Sequence, residues 1–234
     1  LNILHPSEQS YYFRHRYNFL LFALLIPFVL HPIAASVDAW GVTLLDISYM
    51  VIFFTGVFAL SRQRKVAVFA LALMLLCQVL TWTNRFLPNK YLILIGTALN
   101  CVYLCYTGWV ILSRILERKD ITYQTIMASL CVYLLIGYVW AFMYSMLQTL
   151  DPSAFKINFQ LFVNPPPQQH IFAQLYYFFY FSFTTLTTLG FGDILPASSW
   201  ARVMTALEAM LGQLYLVVLV SRLVSMHIQG SRER

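Results

Sequence analysis

Charge is scarce in this chain. Of 234 residues only 10% are Asp, Glu, Lys or Arg, and the acids number 9. A domain covered by water carries about a quarter charged residues, so the composition excludes an ordinary soluble fold and leaves lipid to cover most of the surface. Cysteine is scarce too. Cys77, Cys101, Cys105 and Cys131 all lie inside apolar stretches, where a thiol serves as a small buried hydrophobe. Cys101 and Cys105 share a helix face at i, i+4, but two soft ligands without a third make a poor metal site. No acids, histidines or nucleophile–base pair gather at one depth, which disfavours an integral-membrane enzyme. The net charge of +6 does not indicate nucleic-acid binding, because the cations fall in short groups between apolar stretches, as membrane topology places them.

What the chain has is apolar length. Sixty per cent of its residues are hydrophobic, and a spanning helix needs about 20 mostly apolar residues. Six stretches qualify: Tyr17–Ala35, Leu44–Leu60, Val66–Thr83, Tyr91–Leu112, Ile121–Leu147 and Trp200–Met226. Pro27 and Pro32 are expected to kink or end the first. That stretch is too long for a signal-peptide core and has no clear small-residue cleavage pattern, so it reads as a span. A shorter stretch, Ile171–Leu186, ends in Thr and Gly and has the look of a re-entrant segment, which enters the membrane and turns back. The expected fold is an all-α membrane protein of six transmembrane helices, with the re-entrant helix between the fifth and sixth. Its divisions are a cytoplasmic N-terminal segment (1–16), a four-helix transmembrane domain (17–113), a cytoplasmic linker (114–120), a pore domain (121–226) and a cytoplasmic tail (227–234).

Lysine and arginine set the orientation. One side receives Arg14, Arg16, Arg62, Arg64, Lys65, Arg114, Arg118, Lys119, Arg222, Arg232 and Arg234; the other receives Arg85, Lys90, Lys156 and Arg202. The richer side is cytoplasmic, which places both termini there and Thr184–Asp193 toward the outer face. The cell membrane, in a bacterium the inner one, is the expected location. The long connection Thr149–His170 then lies outside, and its Asn164-Pro165-Pro166-Pro167 run is expected to be extended.

Irregular backbone at membrane depth survives only where protein or water satisfies its polar groups. Thr188-Leu189-Gly190-Phe191-Gly192 follows the re-entrant segment and places two glycines at alternate positions. Glycine reaches positive φ at little cost. Alternating it with other residues lets successive carbonyls turn to one side and form a ladder of oxygens.

These residues resemble the tetrameric potassium-channel family, whose pattern T-x-x-T-x-G-[YF]-G-D is met by Thr185, Leu186, Thr187, Thr188, Leu189, Gly190, Phe191, Gly192 and Asp193. The resemblance implies a selectivity filter of Thr188, Leu189, Gly190, Phe191 and Gly192, with the carbonyls of the first four coordinating dehydrated K+ and the Thr188 hydroxyl adding the innermost site. It implies a homotetramer in a lipid bilayer that conducts K+ passively, with no cofactor beyond the permeant ion and no regulatory partner identified. Sodium and calcium filters of related folds carry acidic side chains; here the only acid is Asp193, after the second glycine. Tyr180, Phe181, Thr184, Thr185 and Asp193 are the expected support of the filter. Phe191 departs from the commoner tyrosine and lacks its hydroxyl, while Tyr180 and Phe181 stand where many members carry tryptophan. These departures bear on packing around the filter more than on the coordinating carbonyls.

The last apolar stretch resembles the family's inner helix. Gly212 is either a hinge or a close-packing glycine. Leu216, Val220 and Val224 repeat at helical spacing and either form an apolar gate or make ordinary contacts. Glu208, an acid within a span, either hydrogen-bonds behind the filter or near the cavity, or plays a packing role. Gln213 is a candidate cavity-lining group, and His170 is a loop histidine near the outer mouth. The alternatives in function are a weakly selective monovalent cation channel and a non-conducting modulatory subunit.

Tyr91–Leu112 has no arginine, and Arg114 and Arg118 follow at its cytoplasmic end. Moving one charge through the field gains about 2.3 kcal/mol per 100 mV, and here that lever is missing. Macroscopic currents recorded over a wide range of potentials are therefore expected to lack steep sigmoidal activation; observing it would contradict a non-voltage-sensing first domain.

Overall fold

The computed structural model describes residues 6–36, 38–61, 64–87, 89–117, 122–157 and 170–232. The elements in chain order are α1 (Pro6–Ser36), α2 (Asp38–Leu60), α3 (Arg64–Phe86), α4 (Lys90–Glu117), α5 (Tyr123–Leu150), β1 (Phe155–Ile157), α6 (His170–Leu186), β2 (Ile194–Pro196) and α7 (Ser199–Arg232). The Asn164–Pro167 run, and Arg62, Arg118, Lys119 and Arg234 of the charge tally, lie outside the described residues. Val224 and His170 are described as helical backbone only.

Among the described residues, five helical segments are long and apolar enough to cross a membrane: Thr43–Leu60, Arg64–Asn84, Lys90–Glu117, Tyr123–Leu150 and Ser199–Arg222. In α1 the described side chains form an apolar stretch over His15–Leu30. The helices run past the apolar windows because their polar ends continue the backbone hydrogen-bond ladder beyond the hydrophobic stretch. The described part of α1 begins at Pro6. It then continues through Pro27 and Pro32 to Ser36, so neither proline ends it, contrary to one of the two outcomes expected of them. Each proline removes a single donor, and the helix continues on either side of it.

The contacts divide the chain into two compact units: Leu1–Leu75 with Tyr106–Leu134, and Leu76–Cys105 with Leu135–Arg234. In the first unit Leu20, Leu24, Ile52, Leu60 and Ile111 are fully buried. The Cys131 thiol points at the Tyr17 carbonyl oxygen, 3.3 Å away, as expected of a buried structural thiol. Arg114 donates from Nη1 to the Ala59 carbonyl at 3.3 Å and from Nη2 to the Leu60 carbonyl at 3.4 Å. Those carbonyls belong to the last turn of α2, which has no basic residue of its own. A cation at that place satisfies orphan carbonyls and opposes the negative end of the helix dipole.

In the second unit a small antiparallel pair, absent from the sequence-based expectation, joins the residues after α5 to those before α7. Phe155 pairs with Pro196, Lys156 with Leu195 and Ile157 with Ile194. The Ala154 carbonyl accepts from the amides of Ala197 at 2.8 Å and Ser198 at 3.2 Å. Asp151 shapes the preceding turn, its Oδ1 accepting from the Ser153 hydroxyl at 2.6 Å and amide at 3.0 Å. Both bonds favour the ionised carboxyl and hold it below the usual carboxylate range. Behind the pair lies an aromatic core: the Phe155 ring sits 4.9 Å from Phe178 and 5.4 Å from both Phe181 and Tyr144. Edge-to-face contacts of this kind add to the burial of the rings.

Replacing Arg114 with Met keeps most of the side-chain volume and removes the cation at the end of α2. The expected loss is about 1–2 kcal/mol for a partly buried charge of this type, read as a lower midpoint of thermal unfolding in detergent.

Candidate functional site

α6 ends at Leu186 with its last carbonyls short of helical donors, as every helix does. The chain that follows folds back to supply donors. Thr187 N bonds the Phe183 carbonyl at 3.1 Å and Thr188 N the Thr185 carbonyl at 2.9 Å. The Thr184 carbonyl accepts two amides, Leu189 N at 2.8 Å and Gly190 N at 3.2 Å. Thr184 and Thr185 are buried, and the Thr184 hydroxyl donates back to the Phe181 carbonyl at 2.9 Å. Beyond this anchor the backbone alternates: φ is +59° at Thr188, +54° at Gly190 and +79° at Gly192. The two glycines take that conformation without strain, whereas a threonine there costs about 1–2 kcal/mol. Around the two glycines there is open space, with no atom within 4 Å of where a Cβ would sit. Leu189 and Phe191 are 58% and 64% exposed, so this turn is uncovered.

Residues 153–229 match the family described as Ion channel. No curated protein and no solved structure matches the chain. The matched ion-channel segment starts at Ser153 and takes in β1, α6, the turn and β2 before ending inside α7. It supports passive ion conduction rather than catalysis, and with the apolar helices it indicates a multi-pass membrane protein.

Within the ion-channel segment the expected support residues separate by helix face. Tyr180 looks toward the turn: its ring stacks on Phe191, with centroids 6.3 Å apart and planes 2° from parallel. Its hydroxyl hydrogen-bonds to Asp193. The hydroxyl that Phe191 lacks is thus present on the ring beside it. Phe181, the next residue, faces away and packs 5.2 Å from Tyr144 in the aromatic core. Asp193 also accepts from the Ile194 amide at 3.0 Å, which joins the turn to β2. Gln213 Nε2 donates a long hydrogen bond to Thr188 Oγ1 at 3.5 Å, while that hydroxyl donates to the Thr187 carbonyl at 2.7 Å.

α7 runs unbroken through Gly212. A Cβ built there would collide with the Leu186 carbonyl oxygen and lie 3.0 Å from Leu186 Cδ1. Glycine at this position lets α7 approach the last residue of α6. Glu208, one turn earlier, is fully buried and meets two hydroxyls. Tyr144 donates to its Oε2 at 2.6 Å, and Ser182 Oγ lies 2.5 Å from its Oε1 and 2.7 Å from the Gly137 carbonyl oxygen. Leu216 and Val220, further along α7, are exposed.

Sequence reasoning missed Ser182, Tyr144 and Gly137. Gly137 admits the Phe183 ring, one carbon of which would lie 2.6 Å from an added Cβ. Ser182 did carry a signal: it is the only non-aromatic residue in Tyr176–Phe183. Tyr144 and Gly137 carried none, since spacing within one apolar helix does not reveal which face meets another helix.

A Gly212→Ala substitution is expected to push α7 from the end of α6. Overpacking of this kind costs about 1–3 kcal/mol, and the expected readout is a lower thermal stability of the purified protein. Unchanged stability would show that α7 can shift without cost.

Proposed function

We propose that the chain is one subunit of a potassium-selective channel, in which four copies surround an axis and Thr188–Gly192 is the selectivity filter. The observation that carries this reading is the alternation of left-handed backbone at Thr188, Gly190 and Gly192 on a turn anchored by the Thr184 carbonyl. Such alternation rotates successive peptide units so that carbonyls line one edge. Four edges would form stacked rings of oxygens that replace the water around K+ at Thr188, Leu189, Gly190 and Phe191, with the Thr188 hydroxyl at the innermost position. K+ is the cargo and the coordinating groups are main-chain oxygens.

The exposure of Leu189 and Phe191 favours assembly, since closed rings of identical subunits cover such faces by symmetry. α6 is then the pore helix, α5 the outer helix and α7 the inner helix. α1 crosses the bilayer as a sixth span, which returns both termini to the cytoplasm. Leu216, Val220 and Val224 follow the Gly212 contact along α7 and form apolar rings that gate by dewetting.

Gly190→Ala tests the filter. No neighbour obstructs the added methyl, but φ of +54° is costly for alanine, by about 1–2 kcal/mol per copy. Relaxation would turn a coordinating carbonyl off the axis. The expected outcome in proteoliposomes is loss of potassium flux from an assembly that remains a tetramer on size-exclusion chromatography; undiminished flux would contradict the filter assignment.

A further inference from the structure

Two contacts fix α7 against α6, and they share one spacing. Glu208 meets Ser182 and Gly212 meets Leu186, four residues on along each helix. Positions i and i+4 lie on one helix face, so the pair sets the register between the two helices directly behind the turn that carries Thr188–Gly192. Glu208 also reaches α5 through Tyr144, and Ser182 reaches α5 through the Gly137 carbonyl. One carboxyl therefore joins three helices.

The protons at this junction can be counted. Three short oxygen–oxygen contacts are present: Gly137 O to Ser182 Oγ at 2.7 Å, Ser182 Oγ to Glu208 Oε1 at 2.5 Å, and Glu208 Oε2 to Tyr144 Oη at 2.6 Å. Each needs one hydrogen. The carbonyl brings none, and serine and tyrosine bring one each. With Tyr144 donating to Oε2 and Ser182 donating to Gly137, the middle contact has no hydrogen unless Glu208 supplies it. No cation faces this carboxyl among the described residues, and none of its surface reaches solvent. An ionised, unpaired carboxylate in such a place is strongly disfavoured.

We infer that Glu208 is a neutral carboxylic acid in the working protein, donating its proton from Oε1 to Ser182 and accepting at Oε2 from Tyr144, and that this relay is a positioning device for the filter. Glu208 touches no permeant ion in this account; it acts through Ser182 and the pore helix. The effect on conduction rests on the pore reading above, whereas the protonation state does not.

The test combines infrared spectroscopy with flux on the full-length protein in lipid at neutral pH. The wild type is expected to show a protonated-carboxylic carbonyl band that shifts when glutamate is labelled with carbon-13 and is lost in Glu208→Gln. The chain has only Glu8, Glu117, Glu208 and Glu233, which keeps the label assignment tractable. Glu208→Gln presents an amide that donates to Ser182 and a carbonyl that accepts from Tyr144, so potassium flux is expected to stay at the wild-type level. Glu208→Ala and Ser182→Ala are expected to lose most of it. Absence of the shifted band in wild type, or a Glu208→Gln variant as impaired as Glu208→Ala, would overturn the inference. If the glutamine variant fails to fold, the isotope shift in wild type still decides. A band present in a wild type that carries no flux would sustain the proton assignment and defeat the pore reading instead.

Discussion

The Thr184 carbonyl oxygen, taking the amides of both Leu189 and Gly190, is the contact on which the rest of the second unit depends. The last carbonyls of a helix have no intrahelical donors and must find them elsewhere. Here the donors come from the turn itself. Once Leu189 and Gly190 are held, the residues after them cannot continue as helix. Positive φ at Thr188 just before them, at Gly190 itself and at Gly192 beyond turns the backbone out of the helix. The short β pair then catches the chain after Asp193 and returns it to the start of α7.

Contacts at both ends of the turn limit how far it can move. On one side Tyr180 stacks on Phe191 and bonds Asp193. On the other, α7 presses on Leu186 through the bare backbone of Gly212. Below these, the aromatic core of Tyr144, Phe155, Phe178 and Phe181 fixes α6 against α5. Close packing at membrane depth draws little from hydrophobic transfer, since lipid is as apolar as the side chains, so small residues and buried hydroxyls carry much of the specificity. Gly137, Ser182 and Gly212 are those residues here, and each sits where another helix touches it.

Much of this was legible in the sequence. Five of the expected spans coincide with long apolar helices because lipid demands uninterrupted hydrophobic length, and length is visible in a string of letters. The helix α6 was readable from Ile171 onward, where a short apolar stretch ends in threonine and glycine. Gly190 and Gly192 announced positive φ by their identity; Thr188 did not, since nothing local shows that a threonine will accept the strain. The β pair was hidden because three-residue strands have no periodicity to detect. Partnerships between distant helices were hidden as well. Glu208 was conspicuous as an acid in a span, but its partners Ser182 and Tyr144 stand 26 and 64 positions away and emerge only when α5, α6 and α7 are packed together.

The central claim is that main-chain oxygens of Thr188–Phe191 substitute for the hydration shell of potassium and not of sodium. The most direct measurement is the reversal potential of purified protein in a planar bilayer with potassium on one side and sodium on the other. The account predicts a reversal far toward the potassium equilibrium potential. A reversal near zero, from a protein that conducts both ions alike, would contradict it.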